Sequence, residues 1–591
     1  MFRTASFQAS SLLLLILLTV LVLPAAAQTP YVPPEAADLD APSSTGPATG
    51  GGEVEWPAGR INYLFELDQI AAFLDVWQYL GADSDFGGMI EAEGGPLGDV
   101  IQTDNTLEAI WVWSRYTELT GSVEYLDNIA DAWVYVGVHP PWLEEGGNGY
   151  YRVHNAAWGL TAESAYRSAT GDDGFLAFAE TCADYIVSVN LFLNQFQKLN
   201  AFVQGWAAGN LYLYGEEMSD AGWMTAALAQ GEELIDWVEF DPPVQLALET
   251  WAMSSGTLVW GICNSVFRDD PARGGLWIDD YGALVDTFQV WYDNAGDSFD
   301  WDNSWNVGYV NGQFAMGDVS GDAAYTRNGE NLTRLLLSYD TDDDGGIQGT
   351  TQDPVTEDMT WVTTYLAKFG VARILGQPPQ TDAGLLQFTS PADGDIIVLP
   401  AAGAPVPIRV LATNFGLQDI PSVDVHLAGD ASGLVTIALD FVEKEEVELD
   451  AGWTPPGPGD YELIAYTTLA GDEDALNDTL RIMVKALDAA SAGGEGPSVL
   501  SAGSVRPNPS SGVSWIALDL PEGTPAEIGI FTPDGRRVTA WSLPAGERRR
   551  VERAWRGATP DGERLPAGIY FLRARIGGGL ERHLKIVRLD R

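Results

Sequence analysis

Between residues 58 and 377 apolar positions recur at helical spacing, and the helical segments come in pairs joined by a repeated turn. Thr120-Gly121 precedes Tyr125, Thr170-Gly171 precedes Phe175, and Ser320-Gly321 precedes Tyr325. A degraded copy, Ser219-Asp220, precedes Trp223, and a further copy is blurred into Pro271-Ala272-Arg273-Gly274-Gly275. The aromatic follows the glycine, or Ser219, by four residues, and the copies recur roughly every 50 residues, a period that marks a repeat architecture. Each copy lies between two amphipathic segments, so the repeating unit is a helical hairpin. The glycine ends one helix, the next residue begins another, and the aromatic packs one turn further on.

Helices ahead of the turns are predicted to start near Asp104, His154, Asn200, Leu246, Asp302 and Glu357, and helices after them near Ser122, Asp172, Asp220, Ala272 and Asp322. That leaves Arg60–Leu80 as an unpaired helix at the front. If it pairs with Glu357–Leu375, six hairpins close into a ring. The pattern resembles the (α/α)6 toroid, the six-hairpin fold of many glycoside hydrolases and polysaccharide lyases. It specifies a scaffold and no single family. An open helical stack is the alternative, but it would leave two apolar ends needing caps.

Beyond Gln377 the period changes. From 385 to 487 short alternating runs, such as Val423-Asp424-Val425 and Leu434-Val435-Thr436-Ile437-Ala438, are broken by Gly, Pro and Asp. That pattern predicts an immunoglobulin-like β-sandwich. Residues 488–503 form a Gly/Ala/Ser linker. The tail, 504–591, opens with Arg506-Pro507-Asn508-Pro509 and continues with Ile528-Gly529-Ile530-Phe531-Thr532-Pro533-Asp534-Gly535-Arg536. Leu565-Pro566-Ala567-Gly568-Ile569-Tyr570-Phe571 and Lys585-Ile586-Val587 follow. Together these resemble the FlgD-type immunoglobulin-like module and the related C-terminal sorting domain of type IX secretion. The resemblance implies an address or surface attachment, handled by export or cell-surface machinery, and no catalysis. A plain sandwich spacer is the alternative.

The fold class expected is therefore multidomain: an all-α (α/α)6 toroid followed by two all-β immunoglobulin-like sandwiches. At the front, Arg3, the apolar run Leu12–Leu23 and Ala25-Ala26-Ala27 read as a secretory signal over 1–27, followed by a linker over 28–57. No other stretch is long and apolar enough to cross a bilayer. The expected location is secreted or at the cell surface, with no membrane span in the mature chain.

Charge narrows the partners. The chain carries 31 Lys+Arg against 84 Asp+Glu, a net charge of −53. From Gly503 onward 15 basic residues meet 10 acidic ones, so the preceding chain, with 16 against 74, holds all of the excess. A surface this acidic repels phosphate backbones, which excludes nucleic acid. Two cysteines, Cys182 and Cys263, cannot form a disulfide framework and are expected as buried small hydrophobes.

Candidate chemistry gathers on polar, glycine-rich loops that should feed one rim of the ring. These loops hold Asp83-Ser84-Asp85 ahead of Gly87-Gly88, Glu144-Glu145 ahead of Gly146-Gly147, Asp297 to Asn303, and Asp340 to Gly346. Glycoside hydrolysis needs two carboxylates across a cleft, one protonated and one ionised, and crowded acids supply the raised pKa that keeps one protonated. The catalytic candidates are Asp104, Asp302, Glu357 and Asp358, with His154; the plainer alternative for Asp104 and Asp302 is helix capping. Of 21 tryptophans, 17 lie between Trp56 and Trp361. Trp111, Trp158, Trp305 and Trp361 are candidates to stack on sugar rings, although core packing explains most of such a set. Tyr151, Arg152, His154 and Asn155 would suit β-elimination of a uronate, which needs a base and a group that neutralises the carboxylate.

Asp340, Asp342 and Asp344 with Gly345 match the first half of a calcium loop, but Thr351 occupies the position where a bidentate Glu is required. A complete EF-hand is excluded; a looser calcium site stays open, and no cofactor is required. The leading expectation is a secreted glycan-processing enzyme, a glycoside hydrolase using paired rim carboxylates on a carbohydrate substrate. A polysaccharide lyase and a non-catalytic glycan-binding surface protein are the alternatives.

Overall fold

The computed structural model describes residues 60–94, 97–143, 149–189, 200–240, 248–289, 307–340, 342–348, 358–399 and 405–488. In the tail it describes 499–500, 504–506, 514–520, 525–532, 536–543, 549–555, 557, 565–566, 568–576 and 580–588. The proposed signal (1–27) and the first linker (28–57) lie outside these residues. The chain divides into two compact units, one built on Glu66–Gly376 and the other on Gln377–Arg591 together with 60–65.

The first unit is a double ring of helices. The inner helices are α2 (Thr103–Thr120), α4 (Gly149–Thr170), α6 (Asn200–Met218), α8 (Leu248–Cys263), α10 (Val307–Ser320) and α12 (Thr360–Leu366). They alternate along the chain with α1 (Tyr63–Val76), α3 (Leu126–Val138), α5 (Leu176–Ser188), α7 (Ala221–Phe240), α9 (Pro271–Gln289) and α11 (Ala323–Leu337). Each inner helix packs on the next, and α12 packs back on α2, so the ring closes and the open stack is excluded. Glycines let inner backbones approach: a Cβ on Gly256 would stand 2.0 Å from the carbonyl oxygen of Gly308, and one on Gly261 2.1 Å from that of Gly205.

The repeated turn has a physical cause at each position. Gly121, Gly171 and Gly321 adopt φ of 72°, 73° and 72°, the left-handed conformation that closes a helix C-terminus. Space is not the constraint there, because an added Cβ would meet nothing within 4 Å. The preceding hydroxyl serves both helices. Thr120 Oγ1 donates to the Tyr116 carbonyl at 2.7 Å and accepts from the Ser122 N–H at 3.0 Å. Thr170 and Ser320 repeat the pair of bonds. In the degraded copy Ser219 itself takes φ 58°. The aromatic then packs back on the helix just ended: Tyr125 on Tyr116 and Phe175 on Tyr166, each with ring centroids 5.4 Å apart.

Aromatics fill the middle of the ring. Trp206 lies 4.6 Å from Trp158, 5.0 Å from Trp260, 5.7 Å from Tyr365 and 5.6 Å from Phe369, centroid to centroid. Phe369 sits on a π-helical turn, Ala367–Val371, that continues α12. Cys182 and Cys263 are buried and free, as expected of small hydrophobes.

The second unit is built from strands. A six-stranded sheet in the order β11-β4-β10-β9-β6-β7 faces a three-stranded sheet β3-β5-β8. Here β3 is Ala383–Ser390, β4 Ile396–Leu399, β5 Val406–Asn414, β6 Ile420–Gly429, β7 Gly433–Leu439, β8 Lys444–Trp453, β9 Gly459–Thr468, β10 Thr479–Asp488 and β11 Val499–Leu500. Alternate residues point inward to one core that includes Leu385, Val410, Val425, Leu463 and Val484. Strand β11 lies inside the stretch expected to be linker: two apolar residues amid Gly and Ser suffice to pair with β4.

In the tail, sheets β12-β13-β16 and β15-β14-β17-β18 enclose a second core around Ile516, Ile528, Ile530, Trp555, Tyr570, Leu572 and Ile586. Its strands are β12 (Ser504–Arg506), β13 (Ser514–Leu520), β14 (Ala526–Phe531), β15 (Arg537–Leu543), β16 (Arg549–Trp555), β17 (Gly568–Ile576) and β18 (Leu580–Arg588). No described helix is long and apolar enough to cross a membrane.

Candidate active site

The N-terminal ends of α2 and α12 are tied by short extended segments. Strand β1 (Met89–Ile90) pairs with β2 (Ile101–Gln102), which leads directly into α2. Beyond β1 the chain runs against the start of α12: the Glu93 N–H donates to the Asp358 carbonyl at 2.9 Å and the Thr360 N–H to the Glu91 carbonyl at 3.0 Å. On the other side the Met359 N–H donates to the Ile347 carbonyl at 3.0 Å. Two helix starts, one strand and one acidic loop therefore converge on one place.

Asp104 lies in the first turn of α2, but it is not the N-cap; Gln102 is. Capping therefore does not explain it. Its carboxylate stands 3.8 Å from His154 Nδ1 of α4. Glu91 and Glu108 share the neighbourhood. Glu91 Oε2 accepts from Asn105 Nδ2 at 2.6 Å, and Glu108 Oε2 from the Thr364 hydroxyl at 2.6 Å. Exposure grades inward, from 9% for Glu91, 8% for His154 and 7% for Asp104 to 1% for Glu108. Burial, then the Asp104 carboxylate, push the Glu91 carboxyl up to about 8, against the opposing bond from Asn105. The same two causes push Glu108 well above the usual carboxylate range.

His154 is held neutral by burial, which outweighs the pull of Asp104. Its bonds fit one tautomer: Nδ1–H donates to Asn155 Oδ1 at 3.1 Å, and Nε2 accepts from the Tyr365 hydroxyl at 3.0 Å. Tyr365 oxygen accepts in turn from Trp158 Nε1 at 3.3 Å. Burial, followed by Glu108, raises the Tyr365 phenol well above its usual range, which keeps the proton on its oxygen. The result is a continuous chain, Trp158–Tyr365–His154–Asn155, alongside three carboxyl groups.

The sequence-derived candidates separate accordingly. Asp104, His154 and Asn155 come together. Asp358 does not join them: it belongs to a second acidic group with Glu93 and Asp344, whose ligand oxygens lie within 4.8 Å of one another. Asp340, Asp342 and Asp344 form a similar, overlapping group. The Asp358 carboxyl is pushed up to about 8 by burial and then by Asp344, Asp342, Glu93 and Asp340. Trp158 is fully buried in the aromatic centre and offers no free face to a sugar. Trp361 is half-buried, edge-on to Tyr365 at 5.9 Å.

Trp111 lies elsewhere on α2, in a cavity of about 340 Å³ lined also by Glu118, Glu217, Trp260 and Lys368. Lys368 Nζ sits 4.4 Å over the Trp111 ring, and desolvation followed by Arg115 brings its pKa down to about 7. Arg152 is half-buried on α4. Asp302, Trp305 and Glu357, with the side chain of Tyr151, lie outside the described residues.

Four participants escaped the sequence reading. Glu91 and Glu93 sit on a short irregular segment after β1, which shows no periodicity. Glu108 falls one turn inside α2, where an acid usually means a solvated face. Tyr365 falls in an aromatic stretch that reads as core. A sequence signal for Glu108 exists: it follows Asp104 by four residues, which puts both on one face of the helix.

No protein-family model matches the chain, and no curated protein matches it either. Among solved structures, an alpha-mannanase of family GH76 from Bacteroides thetaiotaomicron is 12% identical, with 54% of this chain and 97% of that one covered at a TM-score of 0.38. A GH127 β-L-arabinofuranosidase from Geobacillus stearothermophilus is 10% identical, covering 85% of this chain and 96% of that one, also at 0.38. A CARDB domain from Pyrococcus furiosus is 17% identical over 19% of this chain and 96% of its own, at 0.16. At TM-scores this low the likenesses carry no weight for chemistry, which rests on the site itself.

Proposed function

We propose that the helical ring is a glycan-processing enzyme that hydrolyses glycosidic bonds at the rim cluster of Glu91, Asp104 and Glu108. The observation that supports this reading is the convergence of three carboxyl groups with a neutral His154, each at most 9% exposed. One acid there is held protonated at neutral pH beside another that opposes its ionisation, the division of labour that general acid–base hydrolysis needs. Glu91 would donate a proton to the leaving oxygen. Asp104 would serve as the base or nucleophile, with His154 beside it held in one tautomer by Tyr365. The tail we read as an address or attachment module, on the strength of its sequence motifs, and the chain as exported.

The hydrogen bond from Tyr365 to His154 favours a second reading, β-elimination of a uronate with that pair as base. Against it, a surface of net charge −53 repels polyuronates unless cations bridge the two. Product chemistry decides. The purified full chain, offered neutral and acidic polysaccharides, should generate reducing ends without the ultraviolet absorbance of unsaturated uronates. Absorbance would replace hydrolysis by elimination. Glycan binding without turnover would replace both by a binding protein.

A further inference from the structure

Asp358 is 0% exposed, yet neither of its carboxylate oxygens has a hydrogen-bond partner. Glu93 Oε2 is likewise buried and unpartnered. A buried carboxylate left without donors is costly, and such groups are found where a charge of opposite sign completes them. Among the described residues no lysine or arginine forms an ion pair with Glu93, Asp340, Asp342, Asp344 or Asp358. What faces Asp358 instead is more acid. The oxygens of Glu93, Asp344 and Asp358 all fall within 4.8 Å of one another. Oxygens bound to a calcium ion at the usual 2.3–2.6 Å lie at most about 5 Å apart, so this spread suits that ion.

The backbone is arranged for the same purpose. Asp340 is occupied in shaping the loop, accepting from the N–H groups of Asp343, Asp344 and Gly345 at 2.8, 3.1 and 2.9 Å. Asp344 uses Oδ1 to accept from the Gly346 N–H at 2.8 Å. Gly346 is required by proximity, since a Cβ there would stand 2.7 Å from Asp358 Oδ2. Asp342 and Asp344 are exposed while Asp358 is buried, so the group has a solvent-facing side through which an ion enters.

We propose that Glu93, Asp344 and Asp358, with Asp342 beside them, bind one calcium ion. Position twelve of the loop, Thr351 in the linear pattern, is thus replaced by a carboxylate from just before α12, and a further ligand comes from the segment that follows β1. Three carboxylates that bind through one or two oxygens each supply up to six ligands, which suits calcium better than the smaller, water-retaining magnesium. The ion would fasten 91–93, 342–346 and 358–360 together. This inference is independent of the reaction assigned to the rim.

The test is calcium titration of the chelator-treated full chain, followed by calorimetry and by melting temperature. One equivalent of calcium should bind and raise the melting temperature, and magnesium at the same concentration should do so far less. Asp358→Asn should weaken calcium binding about 100-fold or more, at or above the roughly 10–100-fold cost of losing an outer-shell partner. Without calcium, Asp358→Asn should melt close to the parent, because the side chain it replaces has no hydrogen bond to lose. Glu93→Gln, at a half-buried position, should also weaken binding and serves if Asp358→Asn fails to fold. Absence of calcium binding by the parent, equal binding by the variants, or a preference for magnesium would each overturn the assignment.

Discussion

Glu91 illustrates how one side chain links burial to both stability and rate. Its folded pKa of about 8 lies above the ordinary 4.5, so between those values the folded chain holds a proton that the unfolded chain has released. Its stabilising contribution is complete below pH 4.5 and is lost as pH rises through about 8, at up to about 1.4 kcal/mol per pH unit. Denaturant melts at pH 5 and pH 8, with calcium present throughout, should show the ring less stable at the higher pH, and Glu91→Gln should reduce the difference, the remainder coming from Glu108. Tyr365→Phe makes a different statement. It strands Trp158 Nε1 and His154 Nε2 in the core, which should cost about 1–3 kcal/mol in the same melts. At this scale the sequence was informative where the signal was local: Asp104 stands in the first turn of α2, and His154 and Asn155 lie just over one turn inside α4. It was silent on Glu91 and Tyr365, because their partners are 14 and 211 residues away.

The turn elements carry the plainest reading from sequence to structure. Thr-Gly and Ser-Gly predicted helix ends because glycine tolerates positive φ and the hydroxyl bonds both flanking helices. The degraded copy obeys the same geometry at a cost, since Ser219 occupies φ 58° without being glycine. Gly121→Ala should therefore destabilise the ring by about 1–2 kcal/mol, the left-handed penalty of a side chain. Ser219→Gly should stabilise it by about 0.5–1 kcal/mol, less the hydroxyl's own contribution. Paired thermal melts check both. Helix starts were legible to within a few residues wherever a turn marked them. The strand β1 and the segment after it, by contrast, could not be read: β1 is two residues long and carries no period, and 91–93 are placed by bonds to the distant start of α12.

At the scale of the whole molecule, acidity and function separate. A net charge of −53 acts against compactness by self-repulsion, which salt screens within about 8–10 Å at moderate ionic strength. Raising sodium chloride from low to moderate concentration should thus raise the melting temperature without calcium's one-to-one stoichiometry. The repeat told that helices would ring a centre, and the charge excess did not bear on the fold. Neither told that aromatics plug that centre, because filling depends on which faces of six distant helices meet.

The central claim is that the rim acids hydrolyse glycosidic bonds. Its most direct measurement is the rate of reducing-end release by the full chain, by Glu91→Gln and by Asp104→Asn, with melting temperatures recorded alongside. The expected result is a measurable rate on at least one polysaccharide and a fall of about 10²–10⁴-fold in each variant without loss of fold. A parent chain silent on every glycan, or folded variants that keep the parent rate, would contradict it.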